Sequence, residues 1–403
     1  MQMPNLILFD DSTRQHLLPL VFTKPIAELR IGITTIRQKW EHYFGTNSST
    51  LTSDYLEPVF PIHLAQNNLL INASVLPNDK LVQQIIELPG NHAIVDGEVL
   101  IALHVTEKYL PMLHTARGEL RPMLADYRQV SLSCSYTKLH KVSDLFTLND
   151  LVLRSDFATL THNRQGVKPS STNTCINESA IFIEEGAKVE GAILNASTGP
   201  IYIGRDAEIM EGAMVRGPLA MCANSVLKMG TKVYGASTLG PYVKVGGELN
   251  NVVVMGYSNK AHDGFLGNAV IGEWCNLGAD TNNSNLKNNY GDVRIFNYGS
   301  QQMESTGLQF CGLIMGDHAK TGINTMLNTG TIIGVAANVF GAGFPPKHIA
   351  SFSWGGADTG FTTHQLDKAI ATAEKMYARR NKKMSEAEKQ VLKYVYTNTQ
   401  KFR

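Results

Sequence analysis

No apolar run in this chain approaches the roughly 20 residues that a membrane-spanning helix needs. Neither sign of charge prevails: 36 Lys and Arg stand against 35 Asp and Glu, a formal charge of +1. That balance gives no electrostatic case for nucleic acid or for an anionic membrane as partner. The five cysteines, Cys134, Cys175, Cys222, Cys275 and Cys311, are odd in number and contain no C-x-x-C pair. Such usage argues against a disulfide framework and suits reduced, buried thiols. Met1–Asp10 holds no basic stretch and too short an apolar one for a signal peptide, so a cytoplasmic protein is expected. His262, His318 and His348 are too scattered to show a ligand spacing, and no metal site is expected from them.

What the chain does have is a period of six. Ile203, Ile209, Val215, Met221, Leu227, Val233, Leu239 and Val245 follow one another at that spacing. Four positions after each, the residue is mostly small or β-branched: Ala207, Ala213, Ser225, Thr231, Ser237 and Val243, with Leu219 the large exception. Six matches neither the 3.6 residues of a helical turn nor the two of an isolated strand. It predicts hexapeptide repeats wound into a left-handed parallel β-helix, with the aliphatic residue pointing inward and the small one at each corner. Ile183 and Val189 start the pattern. Phe265, Ile271 and Leu277 resume it, and Met315, Thr321, Leu327, Ile333 and Val339 complete it. The gaps Gly246–Gly264 and Asn282–Leu313 read as loops thrown outward, where chemistry tends to sit on a rigid scaffold.

At 403 residues, two or three domains are expected. In the first part, strand and helix signals alternate: a strand at Asn5–Phe9, a helix near Ile33–Tyr43, an apolar run at Asn68–Val75, a helix at Asp79–Leu88, then a hairpin around Asp96-Gly97. The expected division is an α/β domain over 1–145, a helical connector and linker over 146–174, the β-helix over 175–360 and a helical tail over 361–403. Leu366, Ala369, Ile370, Ala373, Met376 and Tyr377 form an apolar stripe in that tail, suited to packing on the prism or on a neighbour.

The stretch Lys260-Ala261-His262-Asp263-Gly264-Phe265-Leu266-Gly267-Asn268, continuing to Asn276-Leu277-Gly278-Ala279, resembles a segment of the bacterial bifunctional GlmU family, which makes UDP-N-acetylglucosamine. Arg14, Pro19-Leu20 and Lys24-Pro25 look like a worn version of a sugar-nucleotidyltransferase loop. The whole chain is similar to a GlmU-like branch of sugar-nucleotidyltransferase-like proteins. The first domain is therefore expected to be nucleotidyltransferase-like and Rossmann-like. The resemblance implies an acetyl-CoA-dependent N-acetyltransferase acting on an amino-sugar phosphate, glucosamine 1-phosphate first. Nucleotidyl transfer would be a second activity.

In this family a His at the place of His262 is the general base on the sugar amine, and a base titrating near neutrality suits that step. The resemblance also implies Asn276 and Asn285 as substrate contacts, with Lys260 among the substrate-binding residues. It places Ala279 beside the acetyl donor, and Gly341 lies in a small-residue stretch where a pantetheine arm could approach the backbone. Phe265 and Leu286 replace tyrosines of the family, Ile323 replaces a cofactor-contacting Ser, and no Lys stands near Asn250-Asn251. Lys287 and Arg294, in the longer second gap, are candidates for that missing cation. In the first domain Arg14 and Lys24 remain as nucleotide-binding candidates. Asp10-Asp11 replaces the family's phosphate-cradling Gly pair, and two carboxylates beside a triphosphate would require Mg²⁺ between them. The related enzymes are trimers, so a homotrimer is expected. The rival expectation is a non-catalytic sugar-nucleotide-binding or regulatory protein on a β-helical trimerisation scaffold.

Overall fold

The computed structural model describes residues 4–110, 113 and 120–403. The chain divides into two compact units. One comprises Met1–Leu17, Thr23–Leu29 and Thr34–Lys141, the other Leu18–Phe22, Arg30–Ile33 and Val142–Arg403.

The first unit is built on a mixed sheet in the order Ser48–Leu51, Asn5–Phe9, Asn67–Asn72, Val99–Thr106, His92–Asp96, Arg128–Ser131. Asn5–Phe9 runs parallel to both of its neighbours, whereas Val99–Thr106 is antiparallel to Asn67–Asn72 and to His92–Asp96. The expected helices form at Ile36–Phe44, with a Thr35–Gln38 capping box, and at Asp79–Ile86, capped by Asn78. Parallel strands that end together expose one edge of the sheet, and ligands of open α/β sheets bind at such edges.

The second unit is a parallel β-helix carrying helices. Its short strands stack in three columns. The first column runs Thr174–Ile176, Ile193–Asn195, Met214–Arg216, Lys232–Tyr234. The second runs Ile181–Ile183, Ile201–Ile203, Leu219–Met221, Ser237–Leu239. The third runs Lys188–Val189, Glu208–Ile209, Val226–Leu227, Lys244–Val245. The aliphatic residues of the six-residue period fill the prism: Ile203, Ile209, Val215, Met221, Leu227, Val233, Leu239 and Val245 are all at most 2% exposed.

The first gap is not a loop. Leu227 pairs with Val245, eighteen residues on, but Val245 pairs with Lys260, only fifteen on. Glu248–Val254 and Phe265–Ile271 each bend round a corner, pairing in both the first and second columns. Gly246–Gly264 is therefore a compressed coil, and the shortening shifts the phase. Leu249 pairs with Leu266, so Leu266 faces inward while Phe265, expected there, points out and is half-buried. The second gap does leave the prism, as the antiparallel hairpin Arg294–Asn297 with Gln302–Ser305.

Helices cover parts of the prism. Asn149–Thr161 is held through Asn149, which accepts from the Gly32 amide (2.7 Å) and donates to the Ala236 carbonyl (3.0 Å). The tail helices Leu366–Ala378 and Glu386–Asn398 bury Ala369, Ala373, Tyr377, Leu392 and Val395 against Trp274, Val335 and Phe352. At that corner Tyr242, Tyr257 and Trp274 stack in succession, centroids 5.3 and 4.2 Å apart, and Tyr377 continues the column at 4.1 Å. Such pairs add to area burial. Trp274→Ala should cost about 3 kcal/mol, read as a lower urea midpoint, by opening a cavity under the tail. All five cysteines are unbridged; Cys222, Cys275 and Cys311 are buried, Cys134 and Cys175 half-buried. No described helix is long and apolar enough to cross a membrane.

Candidate functional site

His262 sits at the corner that follows the third-column strand Asn259–Lys260. Its side chain is exposed and forms part of the wall of a cavity of about 420 Å³, with Met210, Lys228, Gly247, Asp263, Ala279 and Asp280. That volume lies in the usual small-molecule range of roughly 300–1,000 Å³. Asp263 and Asp280 stack coil on coil, the Asp280 amide donating to the Asp263 carbonyl at 3.0 Å.

The corner is fixed from within the prism. Lys260 occupies an inward position, between Val245 and Leu277 in the third column, where every earlier coil places an aliphatic residue. It is 2% exposed, and its ammonium donates to the carbonyls of His262 (2.7 Å), Asp263 (2.9 Å) and Gly246 (3.4 Å). Burial pushes its pKa down to about 8, with Asp263 and Asp280 opposing, so the group is still largely charged at pH 7. The expected substrate contact by Lys260 is therefore corrected. Its ammonium is turned to three backbone oxygens, two of them at the His262 corner. Lys260 positions.

Gly264 completes the turn. Its φ is +113°, and a Cβ there would lie 2.4 Å from the Thr281 carbonyl oxygen of the next coil. Gly264→Ala should lower stability by about 2 kcal/mol and reduce activity with it, measured by thermal unfolding and initial rates side by side.

The other predicted residues are dispersed. Asn285 donates to the Asn268 side chain at 2.7 Å, on the first-column side of the corner. Asn276 lies in the third column and accepts from Asn259 at 3.0 Å. Ala279 shares the His262 cavity, and its carbonyl accepts from the Asn324 amide at 2.7 Å. Lys287 donates to the Asp292 carbonyl of its own loop, and Arg294 to the Met303 carbonyl across its hairpin. Gly341 has φ +100° beside Asp358, in a turn of its own.

A larger groove, about 1040 Å³, runs along the first column under the helix Asn149–Thr161. Arg216, Lys232, Tyr234, Asn250 and Asn268 are among its lining residues. Sequence reasoning passed over these because the outward positions of a hexapeptide repeat carry no pattern of their own.

In the first unit Arg14 and Lys24 are inside a polar cluster at the strand ends. Arg14 donates to Asp10 (3.0 Å), to the Lys24 carbonyl (3.0 Å) and to Tyr55 (2.8 Å). Lys24 is 3% exposed. Asp10 also accepts from Thr52 (2.6 Å) and the Ile26 amide (2.9 Å); burial raises its pKa, against the lowering effect of Arg14. Lys138 pairs with Asp11 at 3.2 Å, and Asn72 donates to the same carboxylate at 3.0 Å. The two carboxylates already hold cations of the chain. Among the described residues no group of three or more His, Cys, Asp or Glu side chains is placed to hold a metal ion. A Mg²⁺ between Asp10 and Asp11 does not fit this arrangement.

Residues 6–165 match the model of the sugar nucleotidyl transferase family. The chain is 29% identical over 164 residues to a bifunctional sugar-1-phosphate nucleotidylyltransferase/acetyltransferase of Sulfurisphaera tokodaii, covering 39% of this chain and 37% of that protein. It is 33% identical over 87 residues to the bifunctional protein GlmU of Methanocaldococcus jannaschii, 22% of this chain and 21% of that one. The chain thus matches little more than a third and a fifth of the lengths of these relatives. The resemblance to GlmU-like bifunctional proteins holds, at modest identity. Among solved structures, the polySia-specific acetyltransferase NeuO aligns with TM-score 0.28 and 12% identity over 52% of this chain and 94% of that one. The UDP-N-acetylglucosamine acyltransferase of Campylobacter jejuni aligns with TM-score 0.22 and 13% identity, over 56% and 95%. At such scores neither likeness places a residue.

Proposed function

We propose that this chain is an acetyl-CoA-dependent N-acetyltransferase acting on an amino-sugar phosphate. The observation that carries it is His262, exposed on the wall of a cavity shared with Ala279 and fixed at its corner by Lys260. His262 takes the proton of the acceptor amine as the nitrogen attacks the thioester carbonyl. The C–N bond forms, the C–S bond breaks, and CoA leaves as the thiol after protonation. Holding amine and thioester in line supplies most of the remaining acceleration.

In one chain Asn276 and Asn285 lie on different columns from each other. Met229, 72% exposed, lines the His262 cavity, and Ile323, 70% exposed, adjoins the Asn324 that bonds to Ala279. Apolar residues so exposed beside the site support assembly as a homotrimer in which a second copy completes it. Sedimentation should return three chains per particle.

The test supplies acetyl-CoA and glucosamine 1-phosphate and follows free thiol. No thiol release from the parent protein would sink the reading.

The first unit is proposed to transfer a nucleotide to the sugar 1-phosphate, the activity in the name of the Sulfurisphaera tokodaii relative, with UTP as the donor to test. One observation favours the non-catalytic alternative there: Arg14 and Lys138 are already paired with Asp10 and Asp11. Pyrophosphate release from UTP and N-acetylglucosamine 1-phosphate decides between them.

A further inference from the structure

A phosphate-bearing acceptor calls for a cation near the base, and the second gap does not supply it. Lys287 and Arg294 donate to carbonyls of their own loop and hairpin, and neither lines the His262 cavity. Lys228 does. Val226–Leu227 stacks on Lys244–Val245, and that strand on Asn259–Lys260. The corners that follow them therefore lie one above another: Lys228-Met229, then Gly246-Gly247, then Ala261-His262. Backbone bonds hold this order, the Lys228 amide donating to the Val245 carbonyl and the Gly246 amide to the Lys260 carbonyl, both at 2.8 Å. Lys228 and His262 are thus two coils apart, about 10 Å along the prism. The coil between them presents only glycine to the cavity, so no side chain divides it.

The charges on the wall are sorted by end. Lys228 is half-buried, its ammonium lies 3.7 Å from the Met210 sulfur, and it enters no ion pair among the described residues. A thioether is a weak, uncharged acceptor and neutralises nothing. Further cations stand behind it. Lys244, two residues before Gly246, is pushed below its ordinary pKa by burial and then by Arg380, Lys228 and Arg379, with Glu208 opposing. This end of the cavity therefore favours an anion. At the other end Asp263 and Asp280 line the wall beside His262, both exposed. Like charge keeps a phosphate away from that end.

We propose that Lys228 is the phosphate anchor of the acceptor. It holds the phosphate at one end of the cavity and so sets the amino group of the same sugar beside His262 at the other. The separation of the two corners admits one sugar ring with a hydrogen bond at each end. Asp263 and Asp280 disfavour the reversed orientation, which would bring the phosphate against them. This rests on the acetyl-transfer reading and adds to it a specificity-determining residue: an amino sugar without phosphate has nothing for Lys228 to hold.

The experiment follows thiol release from the full chain with glucosamine 1-phosphate and with glucosamine as acceptors, at saturating acetyl-CoA. The phosphorylated sugar should be preferred by about 30-fold in kcat/KM, the worth of one charge-assisted contact. Lys228→Ala should raise the KM for glucosamine 1-phosphate by about as much, with kcat little changed, and erase the preference over glucosamine. Lys228→Arg should restore most of it, since the positive charge returns. Calorimetry with glucosamine 1-phosphate alone should show the same loss of affinity in Lys228→Ala without any turnover. The unfolding midpoint should stay where it is, because the side chain is half-exposed. A preference for phosphate that survives Lys228→Ala overturns the anchor and leaves acetyl transfer standing. Binding that ignores Lys228→Ala places the sugar phosphate elsewhere and overturns it too. Binding that depends on Lys228, with no thiol release from the parent, upholds the anchor and sinks acetyl transfer instead.

Discussion

His262→Ala should lower kcat for acetyl transfer by about 10²–10⁴-fold and leave the unfolding midpoint where it is. The two halves of that expectation come from different observations. The loss follows from the chemistry: without a base, the attacking nitrogen must shed its proton to water, and the remaining catalysis is alignment of the two substrates. The unchanged stability follows from the structure, because the imidazole is exposed and the bonds that fix its corner come from its backbone carbonyl, which alanine retains. Steady-state thiol release with saturating acetyl-CoA measures the first and urea unfolding the second. A variant within threefold of the parent in kcat would remove His262 from the reaction, whatever the cavity around it holds. Loss of activity with a lowered midpoint would instead mean that the corner itself had moved.

The period of six fixed more of this architecture than any single residue could, since eight aliphatic side chains from Ile203 to Val245 all line the prism interior. The pattern became unreadable where one coil lost three residues. Between Val245 and Leu266 the inward positions are Leu249, Val254 and Lys260, at intervals of four, five and six. A reader holding to a fixed period slips a residue there and assigns Phe265 to the core in place of Leu266. The same slip hides Lys260, since a lysine in an aliphatic register looks like a surface residue until its carbonyl partners are known. His262 and Ala279 were legible as neighbours because a motif, not a period, carried them. Arg14 and Lys24 were legible as residue types but not as an internal cluster. The other members of that cluster, Thr52 on Asp10, Tyr55 on Arg14 and Lys138 on Asp11, come from strands and loops far along the chain. The groove beside Arg216 and Lys232 needed the helix Asn149–Thr161 laid over it, which no local spacing predicts.

Lys260→Ala should destabilise the protein by about 4 kcal/mol, the stem leaving a cavity in the prism and the ammonium leaving carbonyls without a donor. Lys260→Met separates those effects. Met fills the same length of core, so the cavity cost goes and what remains is the cost of carbonyls left without their donor. Stability should therefore fall by only about 2 kcal/mol from the parent at pH 7. Activity should not recover with it. The carbonyls of His262 and Asp263 lose the donor that holds their corner, and kcat should fall about tenfold with the KM for acetyl-CoA little changed, as expected when alignment is loosened. The dependence on pH supplies a signature that packing alone would not give. The folded-state pKa of Lys260 is about 8 and its ordinary value is 10.5, so between these values the unfolded chain binds the proton more tightly than the folded one. Stability of the parent should rise with pH across that window, by on the order of 3 kcal/mol relative to Lys260→Met, and the two should run parallel below pH 7. Parallel curves throughout would mean that burial does not depress the Lys260 pKa, so that its ammonium is not shut inside the prism, and the corner of His262 would need another support.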